Sequence, residues 1–129
     1  MPCKAVKCRG GTPGGLYYGA QMRFAKLNFA NFSEADLREA DLSASDMFRA
    51  KFRFADLRGA QLRSANLTRA VFLKADLRDA DLAGALLRGA DLRSAKLQGA
   101  NLAYADLDGA LLPAGIGEQE GPGSGPGPR

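Results

Sequence analysis

A five-residue period of large apolar residues constrains this chain more than any other feature. From Met22 to Leu112 every fifth residue is large and apolar, through 19 consecutive units without an insertion. Alanine stands two residues before each of these centres, with Ser45 as the one exception. A period this regular indicates a repeat architecture, and it has to be interpreted before any other pattern.

Neither a helix nor a flat strand suits this period. In an α-helix five residues advance about 500°, so the large residues would spread around the cylinder and leave no apolar face. In a flat strand an odd period would place successive centres on opposite faces. Short extended segments joined by turns do suit it. In Ala55-Asp56-Leu57-Arg58-Gly59, Ala55 and Leu57 then point to one side and Asp56 to the other.

The spacing of the phenylalanines sets the length of one coil. Phenylalanine recurs at the centre of every fourth unit, as Phe32, Phe52 and Phe72. Aspartate and arginine recur together at the same spacing, as Asp36 with Arg38, Asp56 with Arg58 and Asp76 with Arg78. Four units that each turn the chain by about a right angle would align these sets. We therefore predict an all-β, square-sectioned solenoid of about five coils. Its predicted core includes Phe32, Phe52, Phe72, Leu37, Leu57 and Leu77.

The units resemble the pentapeptide repeat family, whose pattern is A(D/N)Lxx. Ala35-Asp36-Leu37 fits it directly, as do Ala65-Asn66-Leu67 and Ala100-Asn101-Leu102. The resemblance covers about 93 of the 129 residues and implies a right-handed quadrilateral β-helix. The residue before the centre departs from Asp or Asn at Gln21, Lys26, Lys51, Gln61, Val71, Leu86, Lys96 and Leu111.

Three regions are predicted along the chain. Residues 1–19 form an N-terminal arm or cap, residues 20–114 the β-helix, and residues 115–129 a disordered tail rich in glycine and proline. Leu16, Tyr17 and Tyr18 are expected to cover the first coil; an interaction arm is the alternative. No C-terminal helix is expected to seal the rod, so the chain is predicted to be a monomer or an end-to-end dimer.

Catalytic chemistry is not expected from this composition. The chain has no histidine, which removes the commonest general base. We interpret the recurrent aspartates as hydrogen-bonding to turn backbone. Cys3 and Cys8 are too few for a zinc site and either form a local disulfide or remain free thiols. A narrow core filled by leucine and alanine leaves no substrate cavity. The prediction is a protein that is not an enzyme, with no metal, cofactor or small-molecule substrate.

Function is therefore expected on the outer surface. The predicted protein-binding patch comprises Phe48, Phe54, Val71 and Leu73, with Arg49, Lys51, Arg53 and Lys74 at its rim. Scattered surface apolar residues are the alternative interpretation. Nucleic-acid binding is not favoured, because acidic residues accompany most of the basic ones and no one-sided basic stripe is evident.

Three functions are weighed against each other. The favoured one is a non-catalytic protein-interaction or scaffolding module with an unidentified protein partner. The family resemblance implies a second, a DNA mimic that binds type II topoisomerases such as DNA gyrase and protects them against quinolones. A DNA mimic should be clearly acidic, whereas this rod is slightly basic, so the second function is less favoured. The third is a purely structural rod with no dedicated partner. No apolar run has membrane length, so we expect a cytoplasmic location, with an organellar lumen as the alternative.

Overall fold

The backbone pairs with itself at one constant offset. The computed structural model describes residues 13–115, and in this range sixteen parallel bridges join residue i to residue i+20, from Leu16 with Asp36 to Asp91 with Leu111. Each bridge involves a single residue, and residues 13–115 contain no helix and no longer strand. The predicted repeat of four units is confirmed by this pairing.

Because the offset from i to i+20 spans four units, the units stack in four columns. We number the positions of a unit one to five, with the alanine first and the large apolar residue third. Column A has the centres Phe32, Phe52, Phe72, Leu92 and Leu112. Column B has the centres Tyr17, Leu37, Leu57, Leu77 and Leu97. Column C has the centres Met22, Leu42, Leu62, Leu82 and Leu102. Column D has the centres Leu27, Met47, Leu67, Leu87 and Leu107. Along the chain, column D is followed by column A.

Each unit between the first and last coils bonds to the coils on both sides of it. In Ala55–Gly59, the N–H of Asp56 donates to the carbonyl of Ala35 in the preceding coil at 3.0 Å. The N–H of Leu57 donates to the carbonyl of Asp76 in the next coil at 2.7 Å. The next unit's first N–H then donates to the carbonyl of Leu57 and closes a turn. Backbone polar groups are thus satisfied between coils, as burial requires.

The second position explains the preference for Asp and Asn. The Oδ1 atom of Asp56 accepts the N–H of Arg58 at 3.2 Å, which leaves no unsatisfied donor at the fourth position. The same bond is made by Asn31, Asp36, Asp41, Asp56, Asn66, Asp76, Asp81, Asp91, Asn101 and Asp106. The interpretation of these residues as turn-bonding groups is confirmed, since short polar side chains commonly stabilise turns in this way.

The interior of column A is a stack of phenylalanine rings. The ring centroids of Phe32 and Phe52 are 5.5 Å apart with planes 11° from parallel. Those of Phe52 and Phe72 are 4.9 Å apart at 5°. All six predicted core residues have no exposed surface. Large side chains alternate with the buried alanines of the first position, so the interior is filled by two residues from each unit.

Ser45 occupies an alanine position without leaving an unsatisfied hydroxyl. Its Oγ donates to the carbonyl of Met22 at 2.7 Å and accepts the N–H of Ala25 at 3.1 Å. Two bonds offset the cost of burying a hydroxyl group, which is otherwise about 1–3 kcal/mol. A carbonyl partner is what allows serine at this buried position.

The fifth position closes most turns in the left-handed region, with Ser94 and Ala114 as exceptions. Gly84, for example, has φ +68°. Within residues 13–115, twelve residues other than glycine also adopt a positive φ, among them Phe54 at 60°. With the fourth residue outside this region, the turn has the pattern of type II, which favours glycine at the fifth position. This turn explains why glycine recurs at the fifth position and is incompatible with a continuous helix over residues 13–115.

Repeat geometry begins inside the segment predicted to be an arm or cap. Leu16 pairs with Asp36, and the ring of Tyr17 packs edge-on against Phe32 with centroids 5.4 Å apart. Gly15–Gly19 therefore has the form of a column B unit with Tyr17 at its centre. Leu16 differs from the expectation, because it is 84% exposed and covers little of the core. Cys3, Cys8 and the predicted tail from residue 116 lie outside the described residues.

Candidate protein-interaction surface

Column B carries a ladder of ion pairs that neutralises itself. Nε and Nη2 of Arg58 donate to the two carboxylate oxygens of Asp56 at 2.8 and 2.7 Å. Nε also lies 3.8 Å from the carboxylate of Asp76 in the next coil. Arg38 and Arg78 pair with their own aspartates in the same way. Each arginine of this ladder is matched by an aspartate, so the ladder itself offers a ligand little uncompensated charge. Glu39, Asp79 and Lys96 of the same column form no ion pair within residues 13–115.

These arginines change the titration of the aspartates. Hydrogen bonding from the Arg58 guanidinium, helped by the Arg58 backbone N–H, lowers the pKa of Asp56 even though desolvation acts in the opposite direction. The pKa values of Asp36, Asp76 and Asp91 are also lowered, in each case chiefly by side-chain hydrogen bonding from the arginine two residues later. The folded chain therefore binds protons at these sites less readily than the unfolded chain does.

Acid is expected to destabilise the protein through this ladder. A carboxyl with a lowered pKa in the folded state stabilises the fold fully above its unfolded pKa of about 3.9, and this contribution is lost as the pH falls through the lower folded value. In urea unfolding, these groups should leave the free energy of unfolding unchanged between about pH 7 and about pH 5. Below about pH 4 the free energy of unfolding should decline. The variant Asp56→Asn, Asp76→Asn keeps the turn acceptors and should decline less steeply; an equally steep decline would contradict the assignment.

The basic residues without ion pairs are gathered on one side. Of the fourteen Lys and Arg residues in 13–115, eight form ion pairs with carboxylates of the same range. The other six are Arg49, Lys51, Arg53, Arg69, Lys74 and Lys96. All but Lys96 lie in column A or at the fifth position of column D, immediately before column A. The positive charge of this side is not compensated locally, in contrast to column B.

A shallow depression lies among these basic residues. It is lined by Arg49, Lys51, Arg69, Val71 and Gly89. Arg49, Arg69 and Gly89 follow one another at the fifth position of column D, whereas Lys51 and Val71 are bridged at the second position of column A. A β-carbon at Gly89 would lie 3.3 Å from Cγ of Arg69, so glycine leaves room for the arginine side chain. The depression has a basic rim and an apolar wall at Val71.

Three of the four predicted patch residues lie together on column A. The N–H of Phe54 donates to the carbonyl of Leu73 at 2.9 Å, so these two residues are neighbours in adjacent coils. Val71 and Leu73 flank the buried Phe72 and are half-buried, and Phe54 is 54% exposed. We call Phe54, Val71 and Leu73 the apolar patch.

Phe48 has a different neighbour. Its ring packs edge-to-face against Phe29 with centroids 5.6 Å apart, and the Arg49 guanidinium lies 5.7 Å from its centroid. This aromatic pair is on column D: Phe48 precedes Arg49 in the same unit, and Phe29 occupies the position of Arg49 one coil earlier. Sequence reasoning missed Arg69 and the contact of Phe29 with Phe48. Moving four units on from Arg49 along the sequence would have placed Arg69 beside it.

The comparisons with known proteins agree with the repeat. The family model for pentapeptide repeats matches residues 18–53, 45–82 and 75–112, with 8 copies. No curated protein matches the chain. Within residues 13–115, there is no helix of the length and apolarity that crossing a membrane requires.

Solved structures of pentapeptide repeat proteins are similar to this one. The protein alr5209 from Nostoc PCC 7120 is 40% identical, with 67% of this chain and 84% of that chain covered and a TM-score of 0.60. HetL from Nostoc PCC 7120, involved in heterocyst differentiation regulation, is 30% identical over 81% of this chain and 62% of that chain, with a TM-score of 0.44. A protein of the Arabidopsis thaliana thylakoid lumen is 29% identical over 74% and 67% of the two chains, with a TM-score of 0.39.

Proposed function

Because the chain belongs to the pentapeptide repeat family, we propose that it is a rigid, non-catalytic module that binds another protein. In this proposal residues 20–114, extended by the unit Gly15–Gly19, form a right-handed quadrilateral β-helix of about five coils. Bridges at the constant offset from i to i+20 support four units in each coil. The four columns are then the four faces of the rod, and columns A and C are on opposite sides.

One observation carries the proposal, namely that the apolar patch and five unpaired basic residues share column A and its border. Phe54 exposes over half of its surface beside the half-buried Leu73, and Lys51, Arg53 and Lys74 surround them. Apolar centres with arginine nearby are typical of protein interfaces, whereas isolated exposed apolar residues are ordinary. The stacked phenylalanines beneath hold this face rigid, which limits the entropy lost on binding.

The other two functions have weaker support. A DNA mimic that binds a type II topoisomerase needs an acidic surface, and the uncompensated charge on column A is positive. Unaltered supercoiling by DNA gyrase in the presence of the protein would exclude that function. A purely structural rod gives no role to the clustering of unpaired basic residues on one face, and it predicts that surface variants bind the same proteins as the wild type.

A quantitative pull-down tests the proposed face. Phe54→Asp with Leu73→Asp places two carboxylates in the apolar patch. This variant is expected to recover about tenfold less of a specific partner, or less still. The control is Phe24→Asp with Tyr104→Asp, which adds the same charge at two exposed aromatic residues of column C. Thermal unfolding of both variants checks that they remain folded, and Phe54→Asp alone avoids any disturbance from the half-buried Leu73. Retention of every partner by the Phe54 variants would contradict the proposal.

A further inference from the structure

We infer that the partner presents an acidic peptide segment with large apolar side chains to the surface formed by Arg49, Lys51, Arg69 and the apolar patch. This inference rests on the proposed function and adds the chemistry of the bound segment. Its basis is the placement of unpaired positive charge directly beside an apolar surface, which a neutral or basic segment would not match.

Local carboxylates do not neutralise this surface. Column A has two acidic residues in the described range. Asp91 is held by Arg93, with Nη2 2.8 Å from its carboxylate. Glu34 lies one coil before Phe54 and forms no ion pair within residues 13–115. The column D carboxylates are engaged elsewhere: Asp46 by Lys26 at 3.1 Å, and Asp106 and Asp108 by Arg88 at 3.7 and 3.2 Å. A partner that covers the basic residues removes water from them. That is costly unless the partner supplies opposite charge.

The shape of the surface fits a mixed segment. Arg49 and Arg69 stand in successive coils, about 4.8 Å apart along the rod, and form a short row of guanidinium groups. Val71 forms the wall of the depression between Lys51 and Arg69. Carboxylates of a bound segment would reach the row, where arginine can bind them through two hydrogen bonds. An adjacent leucine or phenylalanine would cover Val71, Leu73 and Phe54.

A peptide is favoured over nucleic acid by the apolar part of the surface. Phosphate backbones are bound by extended basic stripes, and each contact adds salt dependence without any need for aliphatic side chains. Here the unpaired basic residues extend over only two adjacent coils, residues 49–53 and 69–74, and half-buried Val71 and Leu73 lie between them. A bound nucleic acid would leave these aliphatic groups without a complementary surface.

Fluorescence anisotropy with defined probes tests the inference. The probes are a short labelled peptide of glutamates interspersed with leucine and phenylalanine, its counterpart with glutamine for glutamate, and single-stranded oligothymidylate. The site variant is Arg49→Gln, Lys51→Gln, Arg69→Gln. The matched control is Arg23→Gln, Lys26→Gln, Arg63→Gln, which removes two arginines and one lysine from columns C and D. Both variants have the same net charge. The control residues each form an ion pair, with Asp41, Asp46 and Asp81, so the control also frees three carboxylates away from the proposed surface.

The acidic peptide should bind the wild type, bind the site variant about tenfold more weakly and bind the control within about threefold of the wild type. Its glutamine counterpart should bind weakly throughout. An equal loss of affinity in both variants would show that net charge alone explains the binding, and it would overturn the inference. Absence of binding to the acidic peptide would also overturn it. Tighter, site-dependent binding of oligothymidylate would assign the surface to nucleic acid instead.

The pull-down separates this inference from the proposed function. If the Phe54→Asp, Leu73→Asp variant loses a partner but the site variant keeps it at wild-type levels, the proposed function stands. The inference that the partner presents an acidic segment is then wrong. If both variants keep every partner, the proposed function is wrong. Loss of the same partner by both variants, with retention by both controls, supports the two together.

Discussion

Replacing Phe52 with alanine is expected to lower the free energy of unfolding by about 3–5 kcal/mol, the usual cost of truncating a buried phenylalanine. The ring has no exposed surface and stacks on Phe32 on one side and Phe72 on the other. Bridges from Lys51 to both neighbouring coils fix the backbone beside it. The cavity therefore cannot close by a shift of one coil, and both neighbouring rings lose their contact.

Phe54→Ala is the matched control for this variant. It removes the same side chain two residues further on, where the ring is 54% exposed. Alanine keeps the β-carbon, so the cost of the positive φ at this position does not change. We expect a loss below about 1 kcal/mol in urea unfolding, since surface substitutions have small effects. Similar losses for the two variants would contradict the placement of Phe52 in the core and Phe54 on the surface.

The interior could be predicted from the sequence because each position in a unit has one role. An unbroken period fixes which residues share a column, and the spacing of four units between Phe32, Phe52 and Phe72 indicates how many units make one coil. The role of the second position also followed from its residue types, because Asp and Asn readily bond to turn backbone. Ser45 takes the inward role of the first position as well, because its hydroxyl donates to the Met22 carbonyl.

The exterior was predicted less well, because the repeat does not constrain it. Phe48 was predicted to be part of the patch with Phe54, Val71 and Leu73, and the sequence did not reveal that its ring contacts Phe29 in the preceding coil. Which arginines form ion pairs depends on the aspartate two residues earlier or one coil away, and Arg49 and Arg69 have none in residues 13–115. The start of the repeat was also missed. Gly15–Gly19 has neither alanine nor leucine in its usual place, yet Tyr17 fills the central position.

Proline substitutions two residues apart on column A are expected to have opposite consequences. Lys51→Pro removes an N–H that donates to the carbonyl of Ala30 at 2.8 Å, in the middle of a bridge to both neighbouring coils. A proline at such a position deletes a ladder bond and places its ring against the preceding coil. We expect a loss of about 3 kcal/mol or more, or failure to fold, as measured by urea unfolding followed by circular dichroism.

Arg53→Pro removes the same charge at a position that suits proline. It is the fourth position of a unit, the second residue of a type II turn, where φ is near −60°. Pro13 already occupies the same place in a turn, directly before Gly14 with φ +70°. The Arg53 N–H donates to no backbone carbonyl of residues 13–115. The change should alter stability by no more than about 1 kcal/mol, with stabilisation expected because proline restricts the unfolded chain. Because neither Lys51 nor Arg53 forms an ion pair within that range, a large loss for Arg53→Pro would contradict the turn geometry, and tolerance of Lys51→Pro would contradict the ladder between coils.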